Sequence, residues 1–520
     1  MSELSRRDLL KTVAATATVA SLPTVPYAAV SGAQSVPVHG WQYATASEVA
    51  RAIKTKQVSS SEVTRLALDR IAQLNPKLNA VVTVVGDSAM KRAMQADAVL
   101  AKGEVWGPLH GVPCTIKDTF ETEGVRTTAG APELKDHISK VDAVAVARLR
   151  AAGMVLLGKT NTPAWAGDWQ TYNDVFGTTN NPWDLTRTPG GSTGGGAAAL
   201  AAGLGYLTIG SDLAGSIRVP AHFCGVFGHK PTLNVVPFRG HVPPMPGAYV
   251  GPTEMTVAGP LARSAEDLLL ALRVLGGPLP EDALAYSWTL PPPRKSSIRE
   301  YRIGYVLDHP LCPVTKDVRN RLVAAVEALR SAGAKVEEGF PSVVDVREQY
   351  KTFLDILWPM DLDDASPEEK NRIRALKPAS NDLLTLTMQH ALDATAEDKA
   401  NARGRRVPMR LAWQRYFEDH DAFLMPTHFM PAFPHDDREP QWTRTLSTPE
   451  GPRPYFDQNM WASIAIMTGL PATVAPVGLT PSGLPVGIQI LGPWLEDATP
   501  IYVAGVLEKA FGFQIPKGFE

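Results

Sequence analysis

Two serines stand in glycine-crowded turns, Ser192 in GGSTGGG and Ser216 in GSDLAGS, each between residues small enough to let other groups come close. Glycine adopts backbone conformations that other residues resist, and such turns let N–H groups converge on one point. Ser216 is expected to open a helix that stops by Gly225, so the helix dipole and free N–H groups favour negative charge developing beside it. Lys117 is the third candidate: it closes the apolar run 112–117, expected as a buried strand end. Burying an ammonium is costly without a partner. Desolvation lowers a lysine's pKa, and a neutral amine near pH 7 can take up a proton. The competing reading pairs Lys117 with the adjacent Asp118. His222, His229 and His241 follow Ser216 and offer a rival base, but His222 lies on the same short helix and is expected as core or wall. No GxSxG elbow surrounds Ser216.

These residues need a scaffold, and the chain supplies alternating helical and strand signals. Residues 197–202, small apart from Leu200, read as a tightly packed helix, and 204–209 as a short apolar strand leading into the second serine loop. Upstream, apolar residues recur at helical spacing in two helices from 46 onwards, with Ser47 and Ser60 as expected N-caps. Another helix is expected over 89–102, and a helix and strand over 142–157. Trp165 and Trp169, in the loop approaching the first serine turn, are candidate pocket walls. Beyond Pro260 come a helix, a surface loop with Pro291-Pro292-Pro293, strands at 301–307 and 335–339 around a helix at 315–332, and a helical stretch over 343–423. The polar loop 434–454 is a candidate lid. An apolar helix over 459–466, strand-like GLPVGIQILG and a final amphipathic helix over 498–511 close the chain.

The motifs together resemble the signature of the amidase signature family of serine hydrolases. The resemblance is carried by GPLHGVPCTIKDTF around Lys117, GTTNNP, GGSTGGG around Ser192, LAGSIR around Ser216, GHKPT, and GLPATVAPVG followed by GLPVGIQILG. It runs from about residue 45 to about 510. It implies an α/β fold, with a mixed, mostly parallel central sheet flanked by helices on both sides, as a single domain over 34–520. By resemblance Ser216 is the nucleophile that forms an acyl-enzyme, Ser192, behind a cis Gly191–Ser192 peptide, relays the proton, and Lys117 is the base. The backbone N–H groups of Leu213, Ala214, Gly215 and Ser216 form the implied oxyanion hole, with Gly191, Thr193, Asp212 and Arg218 supporting the loops.

In relatives the stretch without a family motif, about 343–454, helps define the substrate cavity. Trp358 and Phe429, with Met360 and Phe433, are therefore candidate walls, and core packing is the alternative for each. Two departures from the family pattern occur: Ser192-Thr193 where two serines are common, and Ala214-Gly215-Ser216 where GGS is common. Neither removes a catalytic group. The implied reaction is hydrolysis of a small-molecule linear carboxamide, with no metal and no organic cofactor, by a monomer or homodimer. The alternatives are the amidase subunit of a tRNA-dependent amidotransferase and a catalytically silent binding protein of the same fold.

Composition narrows the field further. With 520 residues, 44% hydrophobic and 20% charged, the chain can bury a large core. A net charge of −2 gives no electrostatic reason to expect nucleic acid or anionic membrane as partner. No apolar run is long enough for a convincing membrane span. Ser5-Arg6-Arg7-Asp8-Leu9-Leu10-Lys11, followed by a mildly apolar stretch, reads as a twin-arginine export signal over 1–33, with cleavage expected after Ala29 or Ala33. The expected destination is periplasmic or secreted. Cys114, Cys224 and Cys312 are too few for a disulfide framework and show no zinc spacing. Free buried thiols are expected, with a Cys114–Cys224 pair left open.

Overall fold

Thr45 and Ser59 start the first two helices by the same device. Each side chain accepts the N–H three residues on, while Glu48 and Glu62 reach back to the cap N–H, so two otherwise unpaired donors are satisfied at each end. The helices are Ala46–Lys54 and Ser60–Leu78. The caps thus fall just before the expected Ser47 and Ser60, which serve tertiary contacts instead: Ser47 Oγ donates to Asp267 and Ser60 Oγ to the Gly111 carbonyl.

The computed structural model describes residues 40–248, 251–363 and 365–520. The expected export signal and its cleavage sites lie outside the described residues. From residue 40 onwards the described residues gather into one unit.

The strands are β1 (Val81–Val84), β2 (Pro113–Lys117), β3 (Val155–Thr160), β4 (Leu207–Asp212), β5 (Phe227–Lys230), β6 (Val257–Ala262), β7 (Arg302–Tyr305), β8 (Lys335–Glu338), β9 (Ala422–Pro426), β10 (Thr445–Thr448), β11 (Gly451–Pro454), β12 (Ala472–Leu479) and β13 (Pro485–Leu491). Eleven of them form one mixed sheet in the order β1-β3-β2-β4-β6-β5-β12-β13-β9-β7-β8. Its parallel character lies in the flanks, β3-β2-β4 and β9-β7-β8. Between them pairing is antiparallel, from β4 through β6, β5, β12 and β13 to β9. Every residue of β2, β3, β4, β6 and β13 is buried, as strands must be when helices cover both faces of a sheet.

Two features of this sheet position the chemistry. β2 and β4 are parallel neighbours, with Ile116 opposite Ile209, so their carboxyl ends emerge together and bring Lys117 beside Ser211 and Asp212. Against them packs helix Gly194–Ala201, GGGAAALA, in which every residue is buried. A Cβ on Gly195 would lie 2.5 Å from the Asn161 backbone nitrogen, so only glycine lets this helix come so close.

The segment without family motifs folds as helices Val346–Leu362, Pro367–Ala375, Leu383–Ala391, Ala396–Gly404 and Arg406–Asp419, which lead into β9. The candidate lid loop is partly ordered as the β10–β11 ribbon. It is pinned at its base by Arg444, whose buried guanidinium donates to Asp168 Oδ2, Glu439 Oε1 and the Tyr172 hydroxyl, each at 2.7 Å. The Arg444–Asp168 pair, buried on both sides, resists displacement, because separating it would strand two charges away from water. Among the described residues no helix is long and apolar enough to cross a membrane.

Candidate active site

Lys117 is fully buried, and its amine meets hydroxyls instead of a carboxylate: Ser192 Oγ at 2.6 Å and Ser211 Oγ at 3.0 Å. Burial, partly opposed by the charge of Asp212, lowers its pKa to about 7. The adjacent Asp118 does not compensate it. Asp118 turns to a second buried lysine, Lys159, at 3.4 Å, and accepts from the Thr128 hydroxyl at 2.6 Å. Lys159 is further held by the Phe120 carbonyl at 2.7 Å and the Thr127 hydroxyl at 2.8 Å. One lysine is thus paired and structural, and the other is left with a lone pair to use.

Ser192 follows the Gly191–Ser192 peptide, which is cis. The two serine loops are tied through the backbone, where Thr193 N–H donates to the Ser216 carbonyl at 3.2 Å. No hydrogen bond joins the Ser192 and Ser216 hydroxyls among the described residues. Such contacts commonly tighten only around substrate. Exposure rises in the order expected for base, relay and nucleophile: 0% for Lys117, 1% for Ser192 and 8% for Ser216. The extra methyl of Thr193 fits because residue 210 is glycine: a Cβ there would collide with the threonine side chain.

Gly191 packs under the 168–170 backbone. A Cβ on it would lie 2.5 Å from the Asp168 carbonyl oxygen and 2.7 Å from Gln170 N, with no flexible side chain able to yield. Gly191→Ala is therefore expected to cost about 1–3 kcal/mol by overpacking and to displace Ser192. Denaturant titration and turnover measured on the same sample check this, and an unchanged midpoint with full activity would contradict it.

Asp212 organises the loop that carries Ser216. Its carboxylate accepts Gly215 N–H at 2.8 Å and Ile217 N–H at 3.1 Å, and binds Arg218 through Nε at 3.0 Å and Nη2 at 2.9 Å. Burial pushes the Asp212 pKa up, but the charges of Arg218 and Lys230 and these hydrogen bonds leave it below the usual range. Arg218 in turn reaches the Ala462 carbonyl at 2.9 Å and Gln489 Oε1. Both residues therefore brace the loop that carries Ser216. The Gly215 N–H, expected among the oxyanion donors, is committed to Asp212, and Leu213, Ala214 and Ser216 remain as candidates. Gly215 has φ +101°, which favours glycine. The regular helix starts at Arg218, two residues later than expected, although Val219 N–H already bonds the Gly215 carbonyl at 2.7 Å.

Of the six candidate pocket residues, Trp169 reaches the site: its indole N–H donates to the Ala214 carbonyl at 2.8 Å and so holds the oxyanion loop. Its ring meets Phe456 at 5.2 Å and Tyr455 at 5.8 Å, both edge-on, and Phe456 meets Trp358 at 4.7 Å. Trp358 is thereby linked to Trp169 through one ring, while its own N–H is satisfied by Thr387 Oγ1 at 3.0 Å. Trp165 is half-buried against Ala129, Leu134 and Val242. Phe429 is fully buried, stacked on His428 at 4.7 Å and covered by the Arg453 guanidinium at 4.1 Å, so core packing accounts for it. Met360 is exposed.

His222 is structural. Its Nδ1 accepts Gly487 N–H at 2.9 Å, its Nε2 faces the Met430 carbonyl at 3.2 Å, and burial lowers its pKa to about 4. His229 is held between Thr473 and Asp497. All three cysteines are buried and free, so Cys114 and Cys224 are unpaired. The sequence reading passed over Ser211, although it adjoins Asp212 in the same motif, and Tyr455 and Phe456, which lie in a stretch with no motif to mark them.

Comparison with known proteins agrees with this geometry. The family model described as Amidase matches residues 62–500. The chain is 33% identical over 489 residues to an indoleacetamide hydrolase of Bradyrhizobium diazoefficiens, covering 90% of this chain and 87% of that protein. It is 34% identical over 492 residues to a glutamyl-tRNA(Gln) amidotransferase subunit of Acidothermus cellulolyticus, covering 90% and 94%. Among solved structures, a bacterial aryl acylamidase of the amidase signature family superposes with a TM-score of 0.76 at 25% identity, over 92% of this chain and 99% of that one. With a family match spanning most of its length and a lysine–serine pair buried behind a second serine loop, the chain belongs to the amidase signature family.

Proposed function

We propose that this protein is a serine amidohydrolase that cleaves linear carboxamides through an acyl-enzyme on Ser216. The observation that carries the reading is the 2.6 Å contact between a buried, carboxylate-free Lys117 amine and Ser192 Oγ. In the proposed cycle Ser216 Oγ attacks the amide carbonyl carbon while its proton passes to Ser192, whose own proton passes to the Lys117 amine. The N–H groups of Leu213, Ala214 and Ser216 face the developing oxyanion. Collapse breaks the C–N bond, and the proton returns from Lys117 through Ser192 to the departing ammonia or amine. Water then hydrolyses the ester by the same route and restores Ser216.

A panel of short aliphatic, aryl, long-chain and peptide C-terminal amides, with released ammonia or amine and carboxylate both quantified, tests this. Equal release of the two products by the purified chain is expected for at least one class. The second reading, one component of a tRNA-dependent amidotransferase, is favoured by the similarity to glutamyl-tRNA(Gln) amidotransferase subunits. It predicts no amide turnover until partner subunits are added.

Residues 1–33 are proposed to direct export of the folded protein by the twin-arginine route, on the strength of Arg6-Arg7 and the apolar stretch behind them. Replacing both arginines by lysine is expected to leave the enzyme in the cytoplasmic fraction of a bacterial host. Unchanged export would reject the signal.

A further inference from the structure

The environment of Ser211 contains a proton-accounting constraint. Its hydroxyl has a single hydrogen to give and lies between two nitrogens, Lys117 Nζ at 3.0 Å and His241 Nε2 at 2.9 Å. The other imidazole nitrogen, Nδ1, faces the Pro243 carbonyl at 3.1 Å. A carbonyl can only accept, so Nδ1 carries the ring hydrogen. Burial, reinforced by the charge of Lys117, holds the imidazole pKa down to about 3, so the ring is neutral at pH 7. Its Nε2 is then a pure acceptor. The Ser211 hydrogen must therefore point at His241, and the Ser211 oxygen accepts from the lysine amine.

The ring is built into this role. Phe238 stacks on it at 4.2 Å, Phe120 meets it edge-on at 5.0 Å, and it is 5% exposed. We propose that His241 is a positioning residue for the lysine base: by accepting the Ser211 hydrogen it keeps that hydrogen off the Lys117 amine and leaves the amine's lone pair to Ser192. The inference rests on Lys117 acting as the base in the reaction proposed above. Without an acceptor at His241, the Ser211 hydroxyl would turn to the neutral amine and compete with Ser192 for the only lone pair. Among the described residues His241 itself hydrogen-bonds to Ser211 and the Pro243 carbonyl and to neither candidate catalytic serine.

The test is a double-mutant cycle on the fastest amide of the panel, using the full chain with H241L, H241Q, S211A and H241L/S211A, each checked for folding by circular dichroism. H241L is expected to lower kcat about tenfold, the size of one misdirected hydrogen bond, with KM within about twofold. In the S211A background, where no competing hydrogen exists, the same substitution is expected to change kcat by less than about twofold. H241Q, whose amide oxygen can accept the same hydrogen, is expected within about threefold of wild type. If H241L does not fold, H241F, which keeps a flat ring between Phe120 and Phe238, takes its place with the same expectations. Equal fold-losses with and without Ser211, a folded His241 variant of unchanged kcat, or an H241Q as impaired as H241L overturns the proposal. Ser216→Ala separates this from the underlying mechanism: an active Ser216→Ala rejects the serine mechanism itself, whereas an inactive one beside additive His241 effects rejects only the positioning role.

Discussion

Ser216→Ala is expected to lower kcat/KM by on the order of 10⁶-fold, since removing a nucleophile disables the whole relay at once. Stability should barely change. The residue contributes to the fold through its backbone, by accepting Thr193 N–H at 3.2 Å, and alanine keeps that bond. Ser216 is also the most exposed of the three residues, and the substitution removes a single oxygen, so it leaves no large buried void. A phosphorus electrophile that esterifies activated serines should add its mass once to the wild type and not to the variant. More than about a hundredth of wild-type turnover in folded Ser216→Ala would reject the acyl-enzyme. Failure of the wild type both to be labelled and to turn over any amide would favour the silent binding protein.

The parts of this site that could be read from sequence are those specified locally. Glycine runs announce close approach, so the turns around Ser192 and Ser216, the small-residue helix behind them and the strand ending in Lys117 are all found within a few residues of their expected places. Asp212 ends β4 and Arg218 starts the next helix, and their pairing follows from that proximity. What escaped depends on partners far away in the chain. Asp118 could have paired with its neighbour Lys117, but β2 and β3 run side by side and deliver Lys159, whose partnership leaves Lys117 to the serines. The oxyanion assignment for Gly215 failed for a different reason: the motif fixes where the N–H is, whereas the direction of the Asp212 carboxylate decides whether it is free. In the sequence, polarity alone marks loop 434–454 as a candidate lid. Its anchor, Arg444 on Asp168, joins residues on separate loops that no periodicity connects. The sequence marks Trp169 as a candidate aromatic wall but says nothing of its polar edge, whose indole N–H holds the Ala214 carbonyl.

Lys117→Ala is expected to lower kcat/KM on the order of 10⁴-fold and to change the shape of the pH profile as well as its height. In the wild type only the neutral amine can take the proton from Ser192, and burial sets its pKa at about 7. Burial disfavours the charged form, so the shift is downward and the active, deprotonated fraction grows as pH rises. The profile of kcat/KM should therefore climb with unit slope below about 7 and level off above it. An ordinary lysine would give that limb near 10, outside the range where most enzymes are stable. Lys230 and Glu508 are also moved to about 7 by burial, so a limb at that pH does not by itself name its owner. Its disappearance from the residual activity of Lys117→Ala does, because both other groups remain. The truncation also opens room beside Ser192 for a small primary amine, and added methylamine should restore activity in proportion to its unprotonated concentration. A variant that keeps the wild-type limb, or retains more than about a tenth of the activity, would place the proton acceptor elsewhere and leave the 2.6 Å contact between Lys117 and Ser192 as a structural hydrogen bond.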